Sequence, residues 1–184
     1  MLSLSELAIQ VLSHKNSLSF VCGDPDLEEF FNKDAFFYQE KLIAKVYYWV
    51  KDHTPVVMFS VSNDSIKFKD EEKRKSIFEK GQFNTFPAVK IGRFGVNKDF
   101  QNSGIGTQAL DYIKSMFVIK NKTGCRFITL DAYNRENTLR FYQKNGFQFY
   151  SDKDRNKQTR IMYFDLLPFF NTMKDLLPSG EETA

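Results

Sequence analysis

Gln101, Gly104 and Gly106, spaced as Q-x-x-G-x-G, are the residues of this chain best suited to chemistry on phosphate. They follow a strand-like run, Phe86 to Val96, and open a helical pattern that begins near Ser103. A helix start leaves backbone N–H groups without intrahelical acceptors, and its dipole favours anions. Glycines there remove the side chains that would hold a diphosphate away. Gln101 and Thr107 can add side-chain donors, so Gln101, Asn102, Ser103, Gly104, Ile105, Gly106 and Thr107 form a candidate ligand loop. Two common phosphate loops do not fit. A P-loop needs a Lys-Ser/Thr pair directly after its second glycine, where this chain has Thr107-Gln108. A dinucleotide fingerprint needs a third spaced glycine and a later acidic residue. From spacing alone, a plain glycine-rich turn is the competing reading.

The other reactive residue types are sparse. Cys22 and Cys125 lack metal-ligand spacing, and His14 and His53 stand alone, so surface positions and free thiols are expected. The start of the chain has no basic segment and Glu6 interrupts its apolar run, which argues against a signal peptide and for a reducing cytoplasm. No window approaches the ~20 apolar residues of a membrane span. No Asp or Glu lies between Phe86 and Val96; Asp131, on a later strand, is the remaining candidate base, and a solvated strand end is its simpler reading. From spacing alone Tyr142 reads as a core aromatic packed on Phe147.

The elements that must position these residues alternate between strand and helix. The 184 residues are 42% hydrophobic and 27% charged, with a net charge of +3, ordinary for one compact domain and low for a nucleic-acid binder. Twenty Phe and eight Tyr predict an aromatic core or an aromatic substrate wall. Apolar residues Leu4, Leu7, Ala8, Val11 and Leu12 predict a short helix over 3–12. Asp24 is a candidate N-cap with Pro25 at the first helical position, and Asp26, Glu28 and Glu29 suit the positive helix end. Leu27, Phe30, Phe31, Ala35, Tyr38 and Leu42 then trace one helical face. Strands are predicted over 44–51 and 56–61, joined by a turn at His53-Thr54-Pro55, followed by a polar insertion over 63–85. Gly92 and Gly95 within the Phe86–Val96 strand predict a bulge or close approach by a ligand. The helix after the loop carries Ile105, Ala109, Tyr112, Ile113, Met116 and Phe117 on its inner stripe. Phe127 to Tyr133 reads as a strand, Asn134 as the cap of a short helix with a Glu136–Arg140 pair, and Gly146 as its stop. Two terminal strands, 147–150 and 160–166, pair around a polar loop, and Ser179 to Ala184 is expected to be disordered.

Q-x-x-G-x-G after a strand ending in valine resembles the diphosphate-binding motif of the GNAT superfamily of acyl-CoA-dependent N-acyltransferases. Phe141-Tyr142-Gln143-Lys144-Asn145-Gly146-Phe147 resembles that family's F-Y-x-x-x-G-F signature, and Ile91-Gly92-Arg93-Phe94-Gly95-Val96 resembles the strand before the loop. Cys22-Gly23-Asp24-Pro25-Asp26-Leu27-Glu28-Glu29-Phe30 is similar to the C-G-x-x-x-L-x-x-F opening of a subgroup that includes aminoacyl-tRNA-acetylating toxins. The resemblance implies a single-domain α/β (α+β) fold over residues 1–168, a mixed central sheet flanked by helices, with a tail over 169–184. It implies acetyl-CoA as co-substrate, no metal, and direct attack of a primary amine on the thioester. Phe94, Gly95 and Val96 would polarise the carbonyl, the Gln101–Thr107 loop would hold the diphosphate, and Tyr142 would donate to the departing thiolate. Asn134 or Asn137 would bond the pantetheine arm, although the chain has Arg135 where the family often places an asparagine.

Three readings follow. The first is an N-acetyltransferase of a primary amine. The second is toxin-like acetylation of aminoacyl-tRNA, for which Lys90, Arg93, Arg140, Lys144 and the 153–160 loop could offer phosphate contacts. The absence of a carboxylate on the central strand favours such an α-amino acceptor, whose ordinary pKa of ~7.7 leaves it partly neutral where a lysine amine at ~10.4 is charged. The third is a non-catalytic acyl-CoA-binding module. A homodimer is compatible with each.

Overall fold

The structure, a computed structural model, describes residues 2–13, 19–79, 83–119 and 123–176. The expectations for His14 and for Ser179–Ala184 lie outside the described residues. The strands lie in a mixed sheet in the order Ile9–Val11, Lys45–Lys51, Thr54–Lys67, Thr85–Val96, Phe127–Tyr133, Thr159–Asp165, Gln148–Phe149. Contacts divide the chain into two compact units, Met1–Ser62 with Ile91–Ile113, and Asn63–Lys90 with Lys114–Ala184.

The first unit contains β1 (Ile9–Val11), β2 (Lys45–Lys51), the first part of β3 (Thr54–Lys67) and the last part of β4 (Thr85–Val96). β1, β2 and β3 form an antiparallel meander. The helix expected over 3–12 is instead one 3-10 turn, Leu4–Glu6, followed by β1. Pairing of Ile9 with Trp49 and of Val11 with Tyr47 overrides the helical spacing. The β2–β3 turn falls on Asp52 and His53, at φ 47° and 63°, one residue earlier than expected; Thr54 and Pro55 already pair with β2. Two left-handed residues match the twist of the flanking strands.

Asp24 caps α1 (Pro25–Glu29) as expected, its carboxylate accepting the Asp26 and Leu27 N–H groups. The chain continues through a π segment, Phe30–Asp34, into α2 (Ala35–Glu40). The consecutive Phe30 and Phe31 of the π segment are both buried. Asn32, inside it, accepts the Phe20 N–H at 2.8 Å and donates to the Phe20 carbonyl at 2.9 Å. Leu42, expected on the inner face, is 93% exposed because the helix has ended and the chain turns at φ 57°.

Phe20, Phe30, Phe31, Ala35, Val46 and Met58 build the core of this unit. Gly95 faces it. A Cβ at Gly95 would stand 2.8 Å from the Phe20 ring, and one at Gly92 3.1 Å from the Ser60 hydroxyl. The space before each glycine is thus filled by a protein side chain. Gly95→Ala is expected to lower stability by ~1–3 kcal/mol through overpacking, read as a fall in the urea midpoint at unchanged slope. Full retention of stability would show that Phe20 can move aside.

The second unit contains the remainder of β3 and β4, then β5 (Phe127–Tyr133), β6 (Gln148–Phe149) and β7 (Thr159–Asp165). β7 pairs antiparallel with both β5 and β6. The polar insertion is shorter than expected: β3 runs on to Lys67, and α3 (Glu71–Ile77) occupies part of the rest. Asp64 tolerates its strand position because the Thr129 hydroxyl donates to its carboxylate. Phe68, Phe86, Phe127 and Tyr163 pack edge to face into an aromatic core that also buries Ile66, as the phenylalanine count predicts. The chain does not end its regular structure near residue 168. An unforeseen α6 (Leu166–Leu176) follows β7 directly.

Candidate active site

The candidate residues divide between the two units. Phe94, Gly95 and Val96 and the Gln101–Thr107 loop belong to the first; Asn134, Asn137 and Tyr142 belong to the second.

In the first unit the loop is assembled on backbone. The Asn97 N–H donates to the Val56 carbonyl at 2.9 Å, its buried side chain donates to the Pro55 carbonyl at 3.0 Å, and its Oδ1 accepts the Asp99 N–H. These bonds fix the turn Lys98–Phe100 at the end of β4. The Lys98 N–H then reaches the Val21 carbonyl at 2.9 Å. Gln101, expected to donate to phosphate, instead donates through Nε2 to the carbonyls of Cys22, at 2.7 Å, and Val96, at 3.0 Å. Its side chain braces the loop, and only its backbone remains for a ligand. The Ser103 hydroxyl likewise turns inward, to the Phe100 carbonyl.

Asn102 and Gly104 take left-handed backbone, at φ 58° and 83°. Around Gly104 nothing lies within 4 Å of the place a Cβ would occupy. That open space, at the head of a helix, is where an anion could approach the backbone. The first bond of α4 (Ile105–Met116) runs from the Gln108 N–H to the Gly104 carbonyl. The amides of Ile105, Gly106 and Thr107 therefore have no acceptor within the helix. The helix is anchored beneath them by Ile105, Ala109, Leu110 and Ile113, each at most 1% exposed, while Tyr112, expected on that stripe, is 38% exposed and packs on Trp49. These residues fit the diphosphate of coenzyme A: bare amides, an open glycine and a rigid base.

The loop's protein partners form a second tier. The Glu28 carboxylate accepts the N–H groups of Cys22 and Gly23, both at 2.8 Å. Asn32 holds Phe20, so residues 20–23 are pinned from α1 and the π segment while Lys98 and Gln101 hold them from the loop. Reading the acidic residues as helix-dipole compensation did not reveal this second use of Glu28. A glutamate four residues after the Asp24 cap position carries no local signal for it.

In the second unit Tyr142 lies in α5 (Glu136–Lys144) and is 8% exposed. Phe141 and Phe147 meet its ring edge to face, with centroids 5.2 Å and 5.6 Å away. Gly146, at φ 83°, turns the chain so that the Phe147 N–H reaches the Tyr142 carbonyl at 3.0 Å. Burial pushes the Tyr142 phenol well above its ordinary value, so it stays protonated. Asn134 is not the helix cap: Arg135 holds that position, and its side chain does not cap the helix. The Asn134 amide instead donates to the carbonyls of Arg155 and Lys157, both at 2.8 Å. Asn137 is exposed in the first turn of α5. The expected Glu136–Arg140 pair forms.

Several candidate charges are committed to protein partners. Asp131 is bound by the Lys90 ammonium at 2.6 Å, and Arg140 by Glu136. Arg160 is buried against Asp154, which removes it from the surface on which phosphate contacts were expected. Burial raises the thiol pKa of Cys22 and pushes that of Cys125 up to about 11, so neither is an activated nucleophile. Among the described residues no group of three or more His, Cys, Asp or Glu side chains could hold a metal ion, and no helix is long and apolar enough to cross a membrane.

Residues 69–149 match the acetyltransferase (GNAT) domain family. No curated protein matches the sequence. Among solved structures, a tyrosine-to-phenylalanine mutant of the toxin AtaT bound to the C-terminus of the antitoxin AtaR is similar, with a TM-score of 0.67 at 14% identity, over 95% of this chain and 99% of that one. A tyrosine-to-phenylalanine mutant of KacT gives 0.68 at 15% identity, over 93% and 99%. AtaT complexed with acetyl-methionyl-tRNAfMet gives 0.70 at 16% identity, over 92% and 98%. At these identities the similarity establishes the fold.

Proposed function

We propose that this chain, which carries a GNAT acetyltransferase domain over residues 69–149 and has the fold of those enzymes, transfers an acetyl group from acetyl-CoA to a primary amine. The observation that carries the reading is the open Gly104 at the head of α4, with the unsatisfied amides of Ile105, Gly106 and Thr107 beside it. Acetyl-CoA supplies an acyl group activated as a thioester. The loop amides hold its diphosphate, and the backbone of Phe94, Gly95 and Val96 polarises the acyl carbonyl as an oxyanion hole does. Tyr142 donates a hydrogen bond to the thiolate as it leaves. The attacking nitrogen is the acceptor's own, so no cysteine is acylated. Asn134 contributes to the pantetheine site through its backbone carbonyl, because its side-chain amide hydrogens and its backbone N–H are engaged; Asn137 is available as a side-chain donor.

Thiol release from acetyl-CoA, measured against a panel of amines that includes charged tRNA, tests the proposal. Binding of acetyl-CoA without thiol release for any amine would support the non-catalytic module instead. Gln101→Ala removes two hydrogen bonds that brace the loop, each with a net value of ~0.5–1.5 kcal/mol. Its acetyl-CoA Kd is expected to rise by about tenfold, and the melting temperature to fall by a few degrees as the two bonds are lost. An unchanged Kd would remove the bracing role.

The similarity to AtaT complexed with acetyl-methionyl-tRNAfMet favours a second reading, acetylation of the amino group of aminoacyl-tRNA. Growth arrest on expression that disappears with Tyr142→Phe would support it. A rate profile flat between about pH 6 and 9 would contradict an α-amino acceptor with its ordinary pKa near 7.7.

A further inference from the structure

Arg93 lies on β4, directly before the Phe94–Val96 stretch that the proposed reaction places at the acyl carbonyl. By strand alternation it shares a face with Gly95, the face on which Phe20, Phe30 and Phe31 pack. Its guanidinium is held but not saturated. The buried Phe30 ring lies beneath it, 5.3 Å from centroid to Cζ. Nη1 donates to the Gly92 carbonyl at 3.1 Å, the one hydrogen bond the side chain makes among the described residues. Nε is buried and has no hydrogen-bond partner. The nearest carboxylate, Asp26, stands 3.5 Å from Nε, beyond good hydrogen-bond geometry, and is itself 57% exposed. A guanidinium has five N–H donors in a planar fork suited to carboxylate or phosphate.

A buried, unbonded N–H on a cation costs stability unless something repays it. A purely structural clamp between β4 and α1 would close the 3.5 Å gap into a bidentate pair. The Arg126–Asp165 pair in the same chain does so, at 2.7 Å and 2.9 Å. Arg93 is instead stacked on Phe30 and left with donors to spare, one residue before the stretch proposed to meet the acyl carbonyl.

We infer that Arg93 is a specificity-determining residue that binds an anionic group, carboxylate or phosphate, on the amine acceptor, with Asp26 as the weak counterion the anion displaces. The inference rests on the acetyltransferase reading and narrows its substrate class. Anion binding would bring the acceptor's nitrogen toward the thioester while Phe30 keeps the guanidinium from swinging out.

The test titrates matched ligand pairs into the coenzyme A-bound protein by calorimetry, so turnover is not required. Phenylalanine against phenylalaninamide reports on carboxylate, and O-phosphoethanolamine against ethanolamine on phosphate. At least one anionic member is expected to bind tenfold or more tighter than its neutral twin, and the favoured pair identifies the anion. Arg93→Ala should abolish that discrimination while leaving coenzyme A affinity unchanged. Asp26→Asn should widen it, because the competing carboxylate is gone. A structural clamp predicts the contrary: both substitutions would lower the melting temperature and act alike on binding. Failure of both pairs to discriminate, or a change of the same sign in the two variants, overturns the inference. Thiol release that persists with neutral amines in that case leaves the acetyltransferase reading standing. Loss of coenzyme A binding by the native chain would overturn both.

Discussion

Tyr142→Phe is expected to lower turnover by more than tenfold while the acetyl-CoA Kd and the melting temperature hardly move. The substitution keeps the ring, and with it the edge-to-face contacts to Phe141 and Phe147. What disappears is one O–H donor in a site 8% exposed. A hydrogen bond to a charged acceptor is worth ~1.5–3 kcal/mol, and ~1.4 kcal/mol is a factor of ten in rate, so the loss lies between about ten- and a hundredfold. The effect falls on turnover because the sulfur carries charge only as the thiolate forms. The ordinary phenol pKa of ~10 already exceeds the thiol's ~8.5, making full proton transfer uphill by roughly 2 kcal/mol. Burial raises the phenol further and widens that gap. Tyr142 is therefore assigned hydrogen-bond donation, and no alkaline limb from its ionisation should appear in the rate profile below about pH 10. Single-turnover kinetics with calorimetry in parallel would check both halves. Turnover unchanged in the phenylalanine variant would remove the role. A rise in the acetyl-CoA Kd alongside the fall in turnover would show that the hydroxyl is a binding group.

The features legible in the sequence are those whose cause is local. Asp24-Pro25 states a helix start because a short carboxylate and a fixed φ need no distant partner. The run Phe127–Tyr133 states a strand, and Gly146 a helix stop at φ 83°, for the same reason. Illegible features depend on residues far along the chain. The helical spacing of 3–12 loses to three pairings with β2, almost forty residues away. Asp64 reads as solvated insertion until Thr129 supplies its donor. Gln101 reads as a phosphate ligand because no sequence pattern marks its two acceptors, the Val96 carbonyl five residues back and the Cys22 carbonyl 79 positions away. Asn134 reads as a cap for the same reason, its true acceptors being more than twenty residues on. That the Gln101 and Asn134 side chains bond to backbone carbonyls within the protein thus required the fold.

Asp154→Asn should be among the most destabilising single changes available, because it leaves a buried cation without its counterion. The Arg160 and Asp154 side chains are 6% and 8% exposed, with Nε 2.8 Å from Oδ1. The second carboxylate oxygen accepts the Ile161 N–H at 2.7 Å, Arg160 Nη2 donates to the Ser151 carbonyl at 3.0 Å, and the guanidinium lies 4.1 Å from the Phe149 ring centroid. Removing one partner of such a pair costs ~3–5 kcal/mol. The lower end is expected here, since Asp152 stands 3.8 Å from Nη2 and can compensate in part from its 97% exposed position. Burial pushes the Asp154 carboxyl up, but the Ile161 N–H and the Arg160 guanidinium together bring it below its ordinary value. A carboxylate with a depressed folded pKa contributes stability above its unfolded pKa, near ~3.9, and loses it as pH falls through the folded value. The gap between native chain and variant should therefore be constant near neutrality and close as the pH drops below about 4. Urea denaturation at pH 7 and pH 3 would measure it, and a difference below ~1 kcal/mol at pH 7 would show the pair to be solvated. The consequence reaches the candidate site. The turn that Asp154 anchors presents the Arg155 and Lys157 carbonyls to the Asn134 amide, and the Gln158 carbonyl to the Asn134 N–H at 2.9 Å. Loosening it frees the end of β5, so in Asp154→Asn a rise in the acetyl-CoA Kd should accompany the lost stability, whereas in Tyr142→Phe neither changes.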